Sequence, residues 1–83
     1  MANTVLLDVI EAAPRSDGTL LLVFENGERR IFDVKPLMEK KPFDRLADMR
    51  IFLSARVDYG TVVWDGDIDI APETLYDKST AVY

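Results

Sequence analysis

Apolar positions along this chain recur mostly every second residue, with short interruptions at helical spacing, so the pattern predicts strands broken by brief helices. Thr4 to Ala13 is rich in Val, Leu and Ile, carries only Asp8 and Glu11 as charges, and reads as a first strand. Pro14-Arg15-Ser16-Asp17-Gly18 is a turn cluster. Thr19 to Phe24 follows as a second strand, apolar on both faces, which suits a central position or a sheet covered on both sides. Glu25-Asn26-Gly27-Glu28 signals a hairpin, because Asn and Gly tolerate the positive φ of a tight turn. Arg29 to Val34 returns as a third strand. A two-residue Asn26-Gly27 loop sets Leu22 opposite Ile31 and Leu21 opposite Phe32. A three-residue loop with a bulge shifts both pairs by one, and the sequence allows either. Glu28, Arg29, Arg30 and Asp33 suit this third strand to a sheet edge.

Pro36 to Lys41 reads as a loop or a single helical turn. Pro42 suits a first helical position, and Phe43 to Met49 then forms a short helix with Phe43, Leu46 and Ala47 toward the sheet. Ile51 to Tyr59 has the clearest alternation in the chain: Ile51, Leu53, Ala55, Val57 and Tyr59 against Phe52, Ser54, Arg56 and Asp58. It predicts a fourth strand. A turn at Tyr59-Gly60 leads into a fifth, Thr61 to Trp64, with Val57 opposite Val62 and Ala55 opposite Trp64. Pro72 opens a C-terminal helix, with Glu73 near its positive end. Residues 79–83 are expected to fray. The sum is a single α+β domain over residues 1–83: an antiparallel sheet of about five strands, built from hairpins, with two short helices packed on it.

Composition narrows the chemistry more than the fold. Eighty-three residues make one small domain. The chain has no Cys and no His, so disulfides, thiolate metal sites and imidazole acid–base chemistry are all excluded. The apolar run Leu20 to Phe24 is far too short to span a bilayer. The N-terminus has no basic region ahead of an apolar stretch, so no signal peptide is expected and the cytoplasm is the expected compartment. The net charge of −5 is unevenly spread. The segments 1–28 and 57–83 are acidic, whereas 29–56 is basic. An acidic chain with one basic stretch suits a charged partner better than it suits a nucleic acid, which needs a dense basic footprint.

Four groups of residues are candidates for a site. Asp65, Asp67 and Asp69 alternate, and an extended backbone points all three one way, where with Glu73 they could bind a hard cation. The start of a calcium loop is mimicked, but Ile70 stands where that loop needs Gly and Tyr76 where it needs Glu. The simpler account makes these Asp residues caps for turn and helix-start amides, so no metal or other cofactor is expected. Glu73 with Tyr76, or Asp48 with Arg50, are conceivable acid–base pairs, yet without His, Cys or a phosphate loop no catalytic residue is assigned and an enzyme is not expected. Arg29, Arg30, Lys35, Lys40, Lys41, Arg45, Arg50 and Arg56, with Phe43 and Tyr59 nearby, form a basic stretch diluted by Asp33, Glu39, Asp44 and Asp48. Phe52 lies on the polar side of its predicted strand beside Ser54 and Arg56, which points to a covering layer or a homodimer contact.

Several segments together resemble the domain of unknown function 2442 family of small bacterial proteins. They are Phe24-Glu25-Asn26-Gly27-Glu28 with Phe32-Asp33, Pro36-Leu37, Pro42 to Leu46, Phe52, Val57-Asp58-Tyr59-Gly60, Val63-Trp64 and Asp67 to Tyr76. The resemblance runs from about residue 5 to 79. It implies a compact α+β domain without a catalytic motif to carry over. It also implies one half of a two-gene pair, on the antitoxin side. Some relatives add a helix-turn-helix DNA-binding domain, which is not expected in a chain that stops soon after Leu75-Tyr76. The leading expectation is therefore a non-enzymatic interaction module for a small protein encoded by an adjacent gene, using Phe52, Arg56, Asp65, Asp67, Asp69 and Glu73. A small ligand- or metal-binding domain and a nucleic-acid module are the alternatives.

Overall fold

The structure is a computed structural model that describes residues 7–82. Two antiparallel sheets face each other across one core. The first runs in the order β1-β2-β3-β7, from β1 (Val9–Pro14), β2 (Thr19–Phe24), β3 (Arg29–Asp33) and β7 (Thr80–Ala81). The second runs in the order β4-β5-β6, from β4 (Arg56–Asp58), β5 (Thr61–Trp64) and β6 (Ile68–Ile70). Two 3₁₀ turns (Lys35–Glu39 and Phe43–Ala47) and a single turn of α-helix, α1 (Met49–Phe52), connect β3 to β4, and α2 (Pro72–Lys78) connects β6 to β7. The α+β expectation holds, with seven strands in two sheets among the described residues where one sheet of about five was expected. Residues 4–6, the start of the first expected strand, lie outside the described residues, as does Tyr83.

Strand β2 occupies the central position its two apolar faces suggest, between β1 and β3. Leu20, Leu22 and Phe24 point into the core and are fully buried. The β2–β3 hairpin takes the longer of the two loops allowed. Leu21 pairs with Ile31 and Leu20 with Phe32. The Gly27 amide donates to the Phe24 carbonyl at 2.8 Å, and Gly27 sits at φ 89°, the left-handed residue that a three-residue loop with a bulge requires. Strand β3 is not an edge. Arg30 pairs with Ala81 and Ile31 with Thr80, so the tail expected to fray instead closes the sheet. Val82 extends it by donating to the Arg29 carbonyl at 2.8 Å. Strand pairing compensates for the low helical and apolar content of those last residues.

The middle of the chain departs most from its pattern. Phe43–Ala47 winds as a 3₁₀ turn rather than an α-helix, and Asp48 then caps α1 by accepting from the Arg50 amide. Ile51 and Phe52 therefore belong to α1, and the expected fourth strand shrinks to Arg56–Asp58. An alternation over nine residues also fits one helical turn followed by a short strand, and burial of Leu46 and Phe52 decides for the helix. From Arg56 onward the expected register is observed: Val57 pairs with Val62 across the Tyr59-Gly60 turn, and the ladder ends at Arg56–Val63, one step short of Ala55–Trp64. Phe52 is fully buried. It packs in the core with Trp64, Val62, Ile68, Leu46 and Leu75, so it is not a surface for a partner, and the homodimer contact inferred from it falls.

One junction holds the two sheets together. Val9 donates to the Gly60 carbonyl at 2.9 Å, tying the start of β1 to the β4–β5 turn. A bulge at Ile10, between the Val9–Phe24 and Glu11–Val23 pairs, frees β1 to make this bond. Gly60 has φ 74°, and a Cβ there would lie 2.6 Å from the Asp8 carboxyl. Only glycine meets both conditions.

Candidate functional site

Sequence candidates gather on the outer face of the β4-β5-β6 sheet. Its inner face carries Val62, Trp64, Ile68 and Ile70, all buried. Strand alternation then sends Arg56, Val63 and Asp69 outward, in one row across the three strands. Two turns flank this row. At one end Tyr59, at φ 52°, is thrown clear of the fold and is 94% exposed. At the other, Asp65-Gly66-Asp67 links β5 to β6, with Gly66 at φ 93° and Asp67 at φ 60°. The result is an open hollow of ≈ 330 Å³ lined by Arg56, Asp58, Tyr59, Asp65, Asp67 and Asp69 around Val63.

The floor of the hollow is stiff. The indole of Trp64 donates to the Phe52 carbonyl at 3.1 Å, which satisfies the one polar group of a fully buried ring. The Asp65 amide donates to Ser54 Oγ at 3.0 Å. Arg56 donates to the Ser54 carbonyl and to Asp65 at 3.2 and 3.0 Å. Thr61 donates to the Ile70 carbonyl beneath the outer strand. Above this floor the charge does not balance. Asp58, Asp65, Asp67 and Asp69 face one guanidinium, and only Asp65 is ion-paired with it.

The structure does not line up the three alternating Asp residues. Asp65 and Asp67 belong to a turn and Asp69 to a strand, so no single extended run carries all three. Among the described residues no three acidic side chains converge as metal ligands. Glu73 sits in the first turn of α2, exposed and away from the hollow. Asp58 and Tyr59 were not among the expected partner-binding residues. Their signal was present, since a Tyr before the Gly of a two-residue hairpin turn stands at its tip.

The other candidates are tied into the fold. Asp48 and Arg50 form an ion pair at 3.2 Å that also caps α1, and the Arg50 guanidinium holds the Asp48 carboxyl below the usual carboxylate range. Tyr76 pairs not with Glu73 but with Glu28, to which its hydroxyl donates. That hydrogen bond, with help from Asn26, lowers the Glu28 pKa, and it raises that of Tyr76. Arg30 lies 4.3 Å over the Tyr76 ring, bonds Glu28 at 2.9 Å and donates to Ser79 Oγ and the Ser79 carbonyl. Of the basic stretch, Arg30, Lys35, Arg50 and Arg56 each hold an acid, and Arg45 donates to the Gly66 carbonyl at 3.4 Å. Arg29 and Arg30 leave opposite faces of β3.

Residues 9–81 match the family model described as "Protein of unknown function (DUF2442)", and the chain belongs to that family. No curated protein and no solved structure matches the chain.

Proposed function

We propose that this DUF2442 protein is a non-enzymatic interaction module, antitoxin-like in action, that docks its acidic hollow onto a small basic protein encoded by the adjacent gene. The observation that carries this reading is the pairing of excess charge with an exposed aromatic. Tyr59 stands 94% exposed beside four carboxylates that share one guanidinium. An exposed Tyr covers apolar area and offers a hydroxyl, which is why the residue is enriched in interfaces. Unbalanced carboxylates steer a cationic partner and set orientation. The partner's function is blocked by occlusion of its surface. Asp58, Tyr59, Asp65, Asp67 and Asp69 make the contact, with Arg56 as the internal strut that holds Asp65 in place. Among the described residues no helix is long and apolar enough to cross a membrane. The cytoplasm is the compartment in which this reading places the encounter.

Co-expression with the adjacent gene product tests it. The two proteins are expected to co-purify, and growth inhibition by the neighbour is expected to be relieved. Tyr59→Ala, and separately Asp67→Asn with Asp69→Asn, are expected to lose both effects while the chain stays folded. Retention is expected to weaken with added salt, since rim charges are screened beyond a Debye length of ~8 Å near physiological ionic strength. A pair that never co-purifies, with inhibition unchanged, defeats the proposal.

A further inference from the structure

The outer face of the β1-β2-β3-β7 sheet has apolar side chains that lie outside the core cluster. Leu21, Val23 and Ile31 alternate with the core residues of β2 and β3, so they point away from the second sheet. They are absent from the set of partly buried residues packed on the core. The helices bury Leu46, Phe52 and Leu75, all on the opposite side. Among the described residues the side chains of Leu21, Val23 and Ile31 are half-buried and none belongs to the core cluster.

Charges flank these apolar positions in a specific order. Across the strands, one row reads Glu11–Val23–Arg29. The Arg15 amide donates to the Thr19 carbonyl at 2.9 Å, which continues the β1–β2 pairing and gives a parallel row, Arg15–Thr19–Asp33. In each row β2 supplies the centre, and the two sides carry opposite charges. Glu11 and Arg29 are exposed and neither makes an ion pair among the described residues.

We infer that this face docks a second copy of the same chain, face to face, about a two-fold axis parallel to β2. That rotation exchanges the two sides of every row while leaving β2 over β2. It places Glu11 over Arg29 of the partner copy and Arg29 over its Glu11, with Leu21 and Val23 meeting their own images at the axis. Arg15 likewise comes over Asp33, though Lys35 already pairs with Asp33 at 2.9 Å and lessens that contact. An axis normal to the sheet cannot bring the faces together, and a two-fold across the strands through Leu21 would instead set Glu11 over Arg15 and Arg29 over Asp33, a pairing weakened by the Lys35–Asp33 ion pair and one that the double swap would worsen rather than restore. An isologous contact of this kind is self-complementary only because acid and base sit on opposite sides of the central strand. The proposal is independent of the acidic hollow, which lies on the other sheet. Strand spacings of ~4.8 Å and rises of ~3.3 Å per residue make the face roughly 15 by 17 Å. That is small beside the ~800 Å² per partner of a standard interface, so the dimer is weak and concentration-dependent.

Sedimentation equilibrium of the full chain, up to a concentration on the order of 1 mM, tests this. The wild type is expected to show a reversible monomer–dimer equilibrium. Glu11→Arg and Arg29→Glu alone are each expected to weaken it about ten-fold or more, and the double swap E11R/R29E to restore it to within about three-fold. Far-UV circular dichroism and the unfolding midpoint check that each variant is folded. If a swap unfolds the chain, Leu21→Lys at the axis replaces it, and loss of dimer in a folded variant is expected. Asp67→Asn with Asp69→Asn is expected to leave the equilibrium unchanged. A wild type that is monomeric throughout overturns the inference. So does a dimer indifferent to the swaps or to Leu21→Lys, a double swap as weak as the single ones, or a dimer lost with the hollow's carboxylates.

Discussion

Two polar regions of this molecule use the same residue types to opposite ends. In the cluster of Glu28, Arg30, Tyr76 and Ser79, every charge is answered from within. Arg30 bonds Glu28 and Ser79 and lies on the Tyr76 ring, while Glu28 also accepts from Tyr76 and Asn26. The Tyr76 ring meets Phe24 edge-on with centroids 5.1 Å apart. This cluster fastens α2 and β7 to the β2–β3 hairpin and keeps nothing in reserve for a partner. In the hollow, Asp58, Asp67 and Asp69 receive no side-chain hydrogen bond among the described residues, and Tyr59 touches little but solvent. The comparison shows where to look for function in a small domain: at polar groups that the fold positions but does not satisfy.

The sharpest way to break that contrast is to exchange the fates of two aromatics. Phe52, expected under a covering layer or at an interface, is fully buried, whereas Tyr59 is 94% exposed. Phe52→Ala empties a fully buried core position and is expected to cost about 3–5 kcal/mol by urea unfolding. Tyr59→Ala is expected to stay within about 0.5 kcal/mol of wild type in the same assay. A destabilising Tyr59→Ala would make that residue a structural one and remove the main support for the acidic face as an interface.

The same two residues show why part of the architecture could be read from sequence and part could not. Strands β2 and β5, both hairpin turns and the start of α2 followed from local chemistry: apolar alternation, Asn-Gly, Tyr-Gly and Pro-Glu. The pairing of Val57 with Val62 came with the turn. Phe52 could not be placed, because residues 51–59 alternate whether or not their first turn is helical, and only long-range burial beside Trp64 selects the helix. Strand β7 was hidden for a related reason. Thr80-Ala81 has no strand pattern of its own and is ordered by β3, some fifty positions earlier in the chain. Of the residues lining the hollow, Arg56, Asp65, Asp67 and Asp69 were singled out from their spacing along the chain. Their grouping with Asp58 and Tyr59, and the separation of Glu73, depended on β6, a strand whose three residues are too few to read.

A middling effect is expected at the junction of the sheets. Gly60→Ala forces a side chain into the left-handed region, at about 1–2 kcal/mol, and sets its Cβ against the Asp8 carboxyl. Combining it with Asp8→Ala separates the two causes. The steric part is expected to disappear in the double variant and the backbone part to persist. Full additivity of the two substitutions would mean that Asp8 simply swings aside.

Smaller differences separate the two arginines. Arg30→Ala strips the ring contact and three hydrogen bonds from a half-buried cluster, and a measurable fall in the thermal midpoint is expected. Arg56→Ala removes an ion pair whose side chains are 54% and 69% exposed, worth at most about 0.5 kcal/mol. Its effect is expected in partner binding, through a loosened Asp65, rather than in stability. Equal losses of stability would erase the distinction between a satisfied cluster and an open one.

The finest test uses one hydrogen bond read from both of its ends. The Tyr76 hydroxyl is the largest cause of the lowered Glu28 pKa, and the Glu28 carboxylate is the largest cause of the raised Tyr76 pKa. For the lowered acid, the folded chain binds fewer protons than the unfolded one. Its contribution is present above the ordinary glutamate pKa of about 4.3 and is lost as pH falls through the folded value. For the raised phenol the folded chain binds more protons. Its contribution is present below the ordinary tyrosine pKa of about 10 and is lost as pH rises through the folded value. Tyr76→Phe keeps the ring under Arg30 and against Phe24 but deletes the bond. The gap between wild type and Tyr76→Phe in urea midpoint is therefore expected to be widest across the neutral range and to narrow toward both extremes. The Asn26 and Arg30 partners of Glu28 are common to both proteins and cancel from the gap, so both limbs are expected to narrow. A gap that stayed constant with pH would mean that the hydroxyl contributes through packing alone, and the cluster would then be held by the Arg30 stack rather than by its hydrogen bonds.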